Sequence, residues 1–127
     1  FKFVNDIKMT SLIACLGTGK GTWSQVIELI AKEKWDQIFL ITNKFGKEQF
    51  LIQKDNINFI IIDENKPLTE LVSDLNQQLK GKIAGFEVAV NIISGTGNEH
   101  MAIISAVLKL GLAMRLVTAG KDGVEEV

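Results

Sequence analysis

Short runs of aliphatic and β-branched residues alternate along this chain with longer stretches in which apolar residues recur every three or four positions. Runs of the first kind predict buried strands, and stretches of the second kind predict amphipathic helices. The predicted strands are residues 10–16, 37–42, 57–62, 86–93 and 112–118, with residues 124–127 as the start of a sixth. The predicted helices are residues 22–34, 43–54, 67–79 and 98–110.

This alternation predicts an α/β fold, namely a Rossmann-like, doubly wound and mainly parallel sheet of five or six strands with helices on both faces. Such sheets bind ligands at the carboxyl ends of the strands, where the strand order switches. We expect strands 10–16 and 86–93 to flank that switch, so the loops that follow them should lie side by side. In the last helix we expect an inward-facing set of Met101, Ile104, Ala106, Val107, Leu108 and Leu110.

Both of these loops are made of glycine and short polar residues, apart from one lysine, and each leads into a predicted helix. The first is residues 17–22 and the second is residues 94–98. Backbone N–H groups at the start of a helix bind phosphate and other anions. The sequence therefore predicts a ligand site made of Gly17, Thr18, Gly19, Lys20, Gly21, Thr22, Ser94, Gly95, Thr96, Gly97, Asn98 and His100.

The first loop also resembles the adenylate-kinase form of the Walker A motif, and residues 59–64 resemble a Walker B strand. Two features argue against that chemistry. Ala14 stands inside a strand at the place of the motif's first glycine, and Arg115 is the only arginine, whereas phosphoryl transfer uses several cationic groups. A dinucleotide fingerprint is incomplete, because Thr22 replaces its third glycine. We expect a phosphate-facing loop without Walker chemistry.

The composition is that of an ordinary globular domain, with 46% apolar and 23% charged residues among 127 and a net charge of -1. We expect one domain over residues 1–127, with Met9 as an alternative start that makes residues 1–8 an extension. The sequence has one cysteine, Cys15, which we expect to be buried, and one histidine. These two residues are too few for a cluster of metal ligands. No metal, cofactor or membrane span is expected, and the absence of a signal-peptide pattern predicts a cytoplasmic protein.

With these two loops in this order, the chain resembles the CARF family, the CRISPR-associated Rossmann fold. The segment Asn91-Ile92-Ile93-Ser94-Gly95-Thr96-Gly97-Asn98 is similar to the family's strand-4 signature, Asn/Asp-x-Ser/Thr-Gly-Gly-x-Lys/Arg. A helix containing Met101 and Ala102 follows, as in that family. An extra residue separates Asn91 from Ser94, and Asn98 stands near the place of the basic residue. We expect Lys20 of the first loop to supply the missing charge.

The resemblance implies a nucleotide-sensing module of antiviral defence, which binds a cyclic oligoadenylate at a homodimer interface. It also implies a fused nuclease or DNA-binding effector domain beyond Val127. One alternative is a metal-independent ring nuclease that cleaves the same ligand slowly. A second is a small P-loop-like nucleotide kinase or ATPase that uses Lys20 and Thr22. A third is an interaction domain whose glycine loops are only turns. A regulatory binding module without strong catalysis is the expectation we favour.

Overall fold

The computed structural model describes residues 10–127, apart from the side chain of Lys20. The expected extension at residues 1–8 lies outside the described residues. The strands are β1 (Leu12–Cys15), β2 (Ile38–Thr42), β3 (Ile57–Ile61), β4 (Glu87–Asn91), β5 (Ala113–Gly120) and β6 (Gly123–Glu126). The helices are α1 (Trp23–Lys32), α2 (Lys44–Gln49), α3 (Leu68–Leu79) and α4 (Gly97–Lys109), and a short 3₁₀ helix, Lys20–Thr22, precedes α1.

The six strands form a single layer in the order β3-β2-β1-β4-β5-β6. The first five are parallel, and β6 pairs antiparallel with β5. The predicted Rossmann-like, mainly parallel sheet is therefore confirmed. Since β1 pairs with both β2 and β4, the strand order reverses at the β1–β4 pair. This is the position at which doubly wound sheets bind their ligands.

Strand β1 lies at the centre of the sheet, and all four of its residues are buried. Ile13 and Cys15 pack on the face covered by α3 and α4. Leu12 and Ala14 pack on the face covered by α1. Burial on both faces explains why the strand reads as a continuous apolar run. The first glycine loop therefore follows a strand that is buried on both faces.

Helix α2 ends at Gln49, five residues before the predicted end at position 54. A Cβ on Gly46 would lie 1.8 Å from Thr42 Oγ1, so glycine is what lets this helix pack on the end of β2. Asn43 caps the helix by accepting a hydrogen bond from the Gly46 amide. The next residue after the helix, Phe50, is buried against the rings of Trp23 and Phe59. The backbone of Phe50 is extended, with φ -82° and ψ 112°, and the helix ends before it.

Helix α4 buries only part of the predicted set: Ala106 and Val107 are buried as expected, and Ile104 and Leu110 are half-buried. Met101 is 59% exposed and Leu108 is 63% exposed, although both were expected to face inward. Apolar residues occur on nearly every side of this helix, so their spacing does not select one face. The side chains that reach the core are those of Ala102, Ile103, Ala106 and Val107.

Candidate functional site

The two glycine loops lie side by side at the carboxyl edge of the sheet, as the sequence predicted, because β1 and β4 are neighbours. Between them is a cavity of about 260 Å³. Most of its lining comes from residues predicted to bind a ligand. The lining residues are Gly17, Thr18, Gly19, Thr22, Ile93, Ser94, Gly95 and Thr96.

A hydrogen bond joins the loops directly. The Gly17 amide donates to Ser94 Oγ over 2.8 Å, and Ser94 is only 2% exposed. The backbones also touch, since a Cβ on Gly17 would lie 2.8 Å from the Gly95 nitrogen. Two glycines at this contact therefore let the loops approach more closely than any side chain would allow. The cavity is consequently built by both loops together and not by either alone.

Trp23 supports the first loop from the core side. Its indole N–H donates to the Gly17 carbonyl over 2.9 Å, and the ring is 6% exposed. Both backbone polar groups of Gly17 are thus bonded, the amide to Ser94 and the carbonyl to Trp23. This burial fits the interpretation of Trp23 as a core residue better than that of a stacking platform.

The second loop is fixed by a capping box at the start of α4. Glu99 Oε1 accepts from the Thr96 amide over 2.8 Å, and Thr96 Oγ1 accepts from the Glu99 amide over 3.3 Å. Glu99 is 6% exposed, so the carboxylate is enclosed in this arrangement. The sequence analysis did not identify Glu99 as part of the site. The spacing Thr-x-x-Glu ahead of an apolar helix is the signal that identifies such a box.

His100 holds the same loop from the helix side. Its Nε2 lies 2.8 Å from the Ser94 carbonyl oxygen. A carbonyl can only accept, so Nε2 is the donor in this hydrogen bond. Gly95 lies between these groups with φ +107°, and a Cβ there would be 3.2 Å from His100 Nε2. The loop conformation thus depends on glycine at position 95.

Cys15 lies beneath the second loop at the end of β1. A Cβ on Gly95 would approach its Sγ to 2.6 Å. Burial raises the pKa of the Cys15 thiol far above its ordinary value, and the nearby Glu99 charge raises the pKa further. The residue therefore stays a neutral thiol, and the expectation of a buried cysteine is confirmed.

Several predicted residues lie beside the cavity and not on its wall. Gly21 belongs to the 3₁₀ helix, Gly97 opens α4, and Asn98 is exposed in the first turn of α4. The side chain of Lys20 lies outside the described part of the chain. Ligand contact by all of these residues stays a prediction.

The order of the strands does not favour a Walker site. Strand β2 lies between β1 and β3, so Asp63 and Glu64, which follow β3, are two strands away from the first glycine loop. Two strand spacings are about 10 Å. The strand that resembles Walker B therefore does not run beside the loop that resembles Walker A.

Residues 10–127 contain no grouping of three His, Cys, Asp or Glu side chains that could hold a metal ion. The helices in this same part of the chain are too short or too polar to cross a bilayer.

Comparison with known proteins finds no matching family model and no matching curated protein. Among solved structures, the fold matches Enterococcus italicus Csm6 bound to cyclic hexa-2'-fluoro-hexa-dAMP, with a TM-score of 0.58 and 17% sequence identity. The match covers 90% of this chain and 34% of that Csm6 chain, so this chain spans about a third of the length of Csm6. At this identity the likeness shows the fold alone: this chain shares a Rossmann-like α/β fold with the matched part of that Csm6 chain, in agreement with the expected resemblance.

Proposed function

We propose that this chain is the ligand-sensing domain of a CRISPR-associated defence protein and binds a cyclic oligoadenylate at its glycine loops. The observation that carries the proposal is the cavity between the joined loops at the β1–β4 switch. The fold shared with Csm6, which was solved with a cyclic oligoadenylate analogue, supports the choice of ligand.

The lining of the cavity suits a phosphodiester. None of the described residues that line it is acidic, and four of them, Thr18, Thr22, Ser94 and Thr96, carry hydroxyl groups. The thirteen-residue helix α4 directs its amino end toward the same loop. Such an end attracts anions through its unpaired N–H groups. Lys20, in the first loop, is proposed to supply the positive charge that the second loop lacks.

A homodimer is part of the proposal because one cavity is small for the whole ligand. A volume of about 260 Å³ is below the usual 300–1,000 Å³ of a site for a drug-sized ligand, and a cyclic oligoadenylate is larger than that. Ile93 lines this cavity and is 47% exposed, and Met101 and Leu108 extend an apolar stripe along α4. Met101 and Leu108 are seven positions apart and so lie on one face. A second copy on this stripe would bring two cavities together around one ring.

Slow ring opening is the second candidate function, and the fixed position of His100 favours it. In such a reaction a ribose 2′-hydroxyl attacks the neighbouring phosphorus, and the bond to the 5′-oxygen breaks. The products are a 2′,3′-cyclic phosphate and a free 5′-hydroxyl. Incubation of radiolabelled cyclic hexa-adenylate with the chain and with His100→Ala tests this step. An intact ring after hours of incubation with the unaltered chain would exclude it.

Titration calorimetry with cyclic tetra-adenylate and cyclic hexa-adenylate tests the main proposal. We expect binding at micromolar protein with one ring per two chains. Linear hexa-adenylate is the control for shape, and it should bind more weakly. If neither ring gives heat when the dimer is independently confirmed, the proposal is wrong. A fused effector domain, a nuclease or a DNA-binding domain, is also part of the proposal, and sequencing the gene on both sides of these residues tests it.

A further inference from the structure

The two edge strands of the sheet differ in how they are protected against pairing with another chain. At one edge, β6 ends in Glu125 and Glu126, which are both exposed. At the other edge, β3 reads Ile-Asn-Phe-Ile-Ile, without a charged residue or a proline. Charges and prolines are common devices that keep an edge strand from binding another strand. Strand β3 has neither, and within residues 10–127 it pairs only with β2.

The register of β2 and β3 shows which backbone groups face away from the sheet. The Ile62 amide, directly after β3, donates to the Thr42 carbonyl over 2.8 Å, so the backbone of Ile62 faces β2. Successive residues of a strand present their backbone groups to opposite sides. The residues of β3 whose N–H and C=O groups point away from β2 are therefore Ile57, Phe59 and Ile61.

Contacts within the chain close the two ends of this outward-facing row. The Ile57 amide donates to the Lys54 carbonyl over 3.1 Å, and the Ile61 carbonyl accepts from the Gln78 side chain over 3.1 Å. No hydrogen bond from residues 10–127 reaches the other four groups of the row. These are the Ile57 carbonyl, the amide and the carbonyl of Phe59, and the Ile61 amide.

The four groups complement those of a second copy of the same strand. A two-fold axis that passes beside Phe59, perpendicular to the sheet, makes the two β3 strands antiparallel. Each Phe59 amide then faces the Phe59 carbonyl of the other copy, and each Ile61 amide faces the Ile57 carbonyl of the other copy. The remaining bond of this register joins the Ile57 amide to the Ile61 carbonyl. It is not needed, because both groups are already bonded within their own chain.

The charges near the two ends of β3 also favour an antiparallel neighbour. The cavity at the amino end of the strand has more basic than acidic residues in its wall, namely Lys32, Glu33, Lys34 and Lys54. The cavity at the carboxyl end has more acidic than basic residues, namely Lys44, Asp63, Glu64, Lys66 and Asp74. One pair opposes this trend. Asp55 and Asp63 are each four positions from Phe59, so they meet as like charges across the axis.

We propose that β3 is an interface for a second copy of this chain, which pairs antiparallel with it about Phe59 and continues the sheet across a two-fold axis. The contact is separate from the apolar stripe on α4 and needs no ligand. It consists of a few backbone bonds and belongs with small, transient interfaces, so we expect it only at high micromolar concentrations and above. A chain that uses both contacts assembles beyond a dimer.

Sedimentation velocity on the 127-residue chain carrying Leu108→Glu tests the contact, because that substitution weakens association through α4. We expect a dimer to form as the concentration rises from micromolar to millimolar. Adding Asp55→Lys turns the opposed pair of carboxylates into a pair of opposite charges, and it should tighten the dimer by about fivefold or more. Misfolding does not produce such a gain in a discrete dimer.

Asp122→Lys, added to the same Leu108→Glu chain, is the matched control. It makes the same change of charge at an exposed position in the turn between β5 and β6, at the other edge of the sheet. It should leave the dimer unchanged. A monomer at every concentration in all these variants would overturn the proposal, and so would an equal effect of Asp55→Lys and Asp122→Lys.

Amide exchange followed by NMR separates pairing through β3 from any other contact. The Asn58 and Ile60 amides bond to β2 and should exchange slowly at every concentration. The Phe59 and Ile61 amides should exchange several-fold more slowly at millimolar than at micromolar concentration. If these two amides exchange at one rate throughout, whether fast or slow, β3 does not pair with a second copy. Neither measurement contains a cyclic oligoadenylate, so the result is independent of the proposed function.

Discussion

Gly17 and Ser94 are 77 positions apart in the chain and share a buried hydrogen bond of 2.8 Å, from the amide of the first to the hydroxyl oxygen of the second. This bond is the physical link between the two loops of the candidate site. An amide buried without a partner costs about 1–3 kcal/mol. The stability of the fold and the shape of the site therefore depend on the same atoms.

Ser94→Ala removes the acceptor and leaves the Gly17 amide unpaired. We expect the free energy of unfolding to fall by about 1–3 kcal/mol in urea titrations. Ser73→Ala, at an exposed position on α3, is the control and should change it by less than about 0.5 kcal/mol. Equal stability of the two variants would contradict the role given to this bond. Affinity for cyclic hexa-adenylate should also fall in Ser94→Ala alone.

Gly17→Ala places a methyl group 2.8 Å from the Gly95 nitrogen, which separates the loops. Overpacking of this kind costs about 1–3 kcal/mol. Gly19→Ala, two residues further along, meets nothing within 4 Å and should be neutral or stabilising by up to about 1 kcal/mol. Thermal unfolding of both variants distinguishes close packing from simple loop flexibility. A stable Gly17→Ala protein would show that the loops are free to move apart.

Comparison of Trp23 with Trp35 tests whether the Trp23 indole holds the first glycine loop in place. Each is buried and donates its indole N–H to a backbone carbonyl over 2.9 Å, Trp23 to Gly17 and Trp35 to Leu29. Replacing either with phenylalanine should destabilise the fold by about 1–3 kcal/mol. Only Trp23→Phe should weaken ligand binding, since only Trp23 holds a glycine loop. The same loss of affinity in both variants would point to a general effect of stability.

The Cys15 thiol should make stability depend on alkaline pH. Burial, and then the charge of Glu99, raises its pKa in the folded chain, while in the unfolded chain the pKa is about 8.5. The unfolded state therefore loses its proton first as the pH rises. The stabilisation is complete below about pH 8.5 and declines above it.

Urea titrations between pH 8 and pH 10 test whether the free energy of unfolding falls as the pH rises. The decline in stability should be steeper in the unaltered chain than in Cys15→Ala, which lacks the titrating group. The thiol should also resist a disulfide reagent at pH 8 until urea unfolds the chain. Rapid reaction of the folded protein would contradict the burial of Cys15.

The exposed stripe on α4 predicts the behaviour of the assembly. Leu108→Glu should weaken self-association by about tenfold or more, because a two-fold axis brings the new charges of both copies to one apolar interface. Leu51→Glu alters a residue that is 84% exposed in the segment after α2, and it should leave association unchanged. Sedimentation velocity over a range of concentrations measures both. A monomer at every concentration, with and without ligand, would refute the proposed dimer.

The strand and helix pattern was sufficient to predict the order of the elements and the meeting of the two loops. Apolar runs such as those within residues 10–16 and 37–42 are typical of strands that are covered on both faces. The turns were marked just as clearly by glycine. The placement of the candidate site followed from these two signals, because the topology alone puts both loops at one edge.

What the sequence did not predict depends on contacts between distant residues. Two hydrogen bonds, from the Trp23 indole to the Gly17 carbonyl and from the Thr42 hydroxyl to the Leu16 carbonyl, leave no periodic pattern in the sequence. Two residues of α4, Met101 and Leu108, were wrongly expected to face inward for a related reason, since they are as apolar as the residues that reach the core. Glycine at position 46 is explained only by the approach of Thr42.

The capping box gives the second loop an unusual electrostatic character. Residues 94–98 carry no charged side chain, and the first charge after them, Glu99, is negative and enclosed at the start of α4. Attraction of a phosphate to this loop must therefore come from oriented dipoles, whose field declines with distance faster than that of a net charge. A phosphate ligand would therefore be recognised by this loop at contact and would not be drawn in from solution by it, so its encounter rate would be set elsewhere on the molecule.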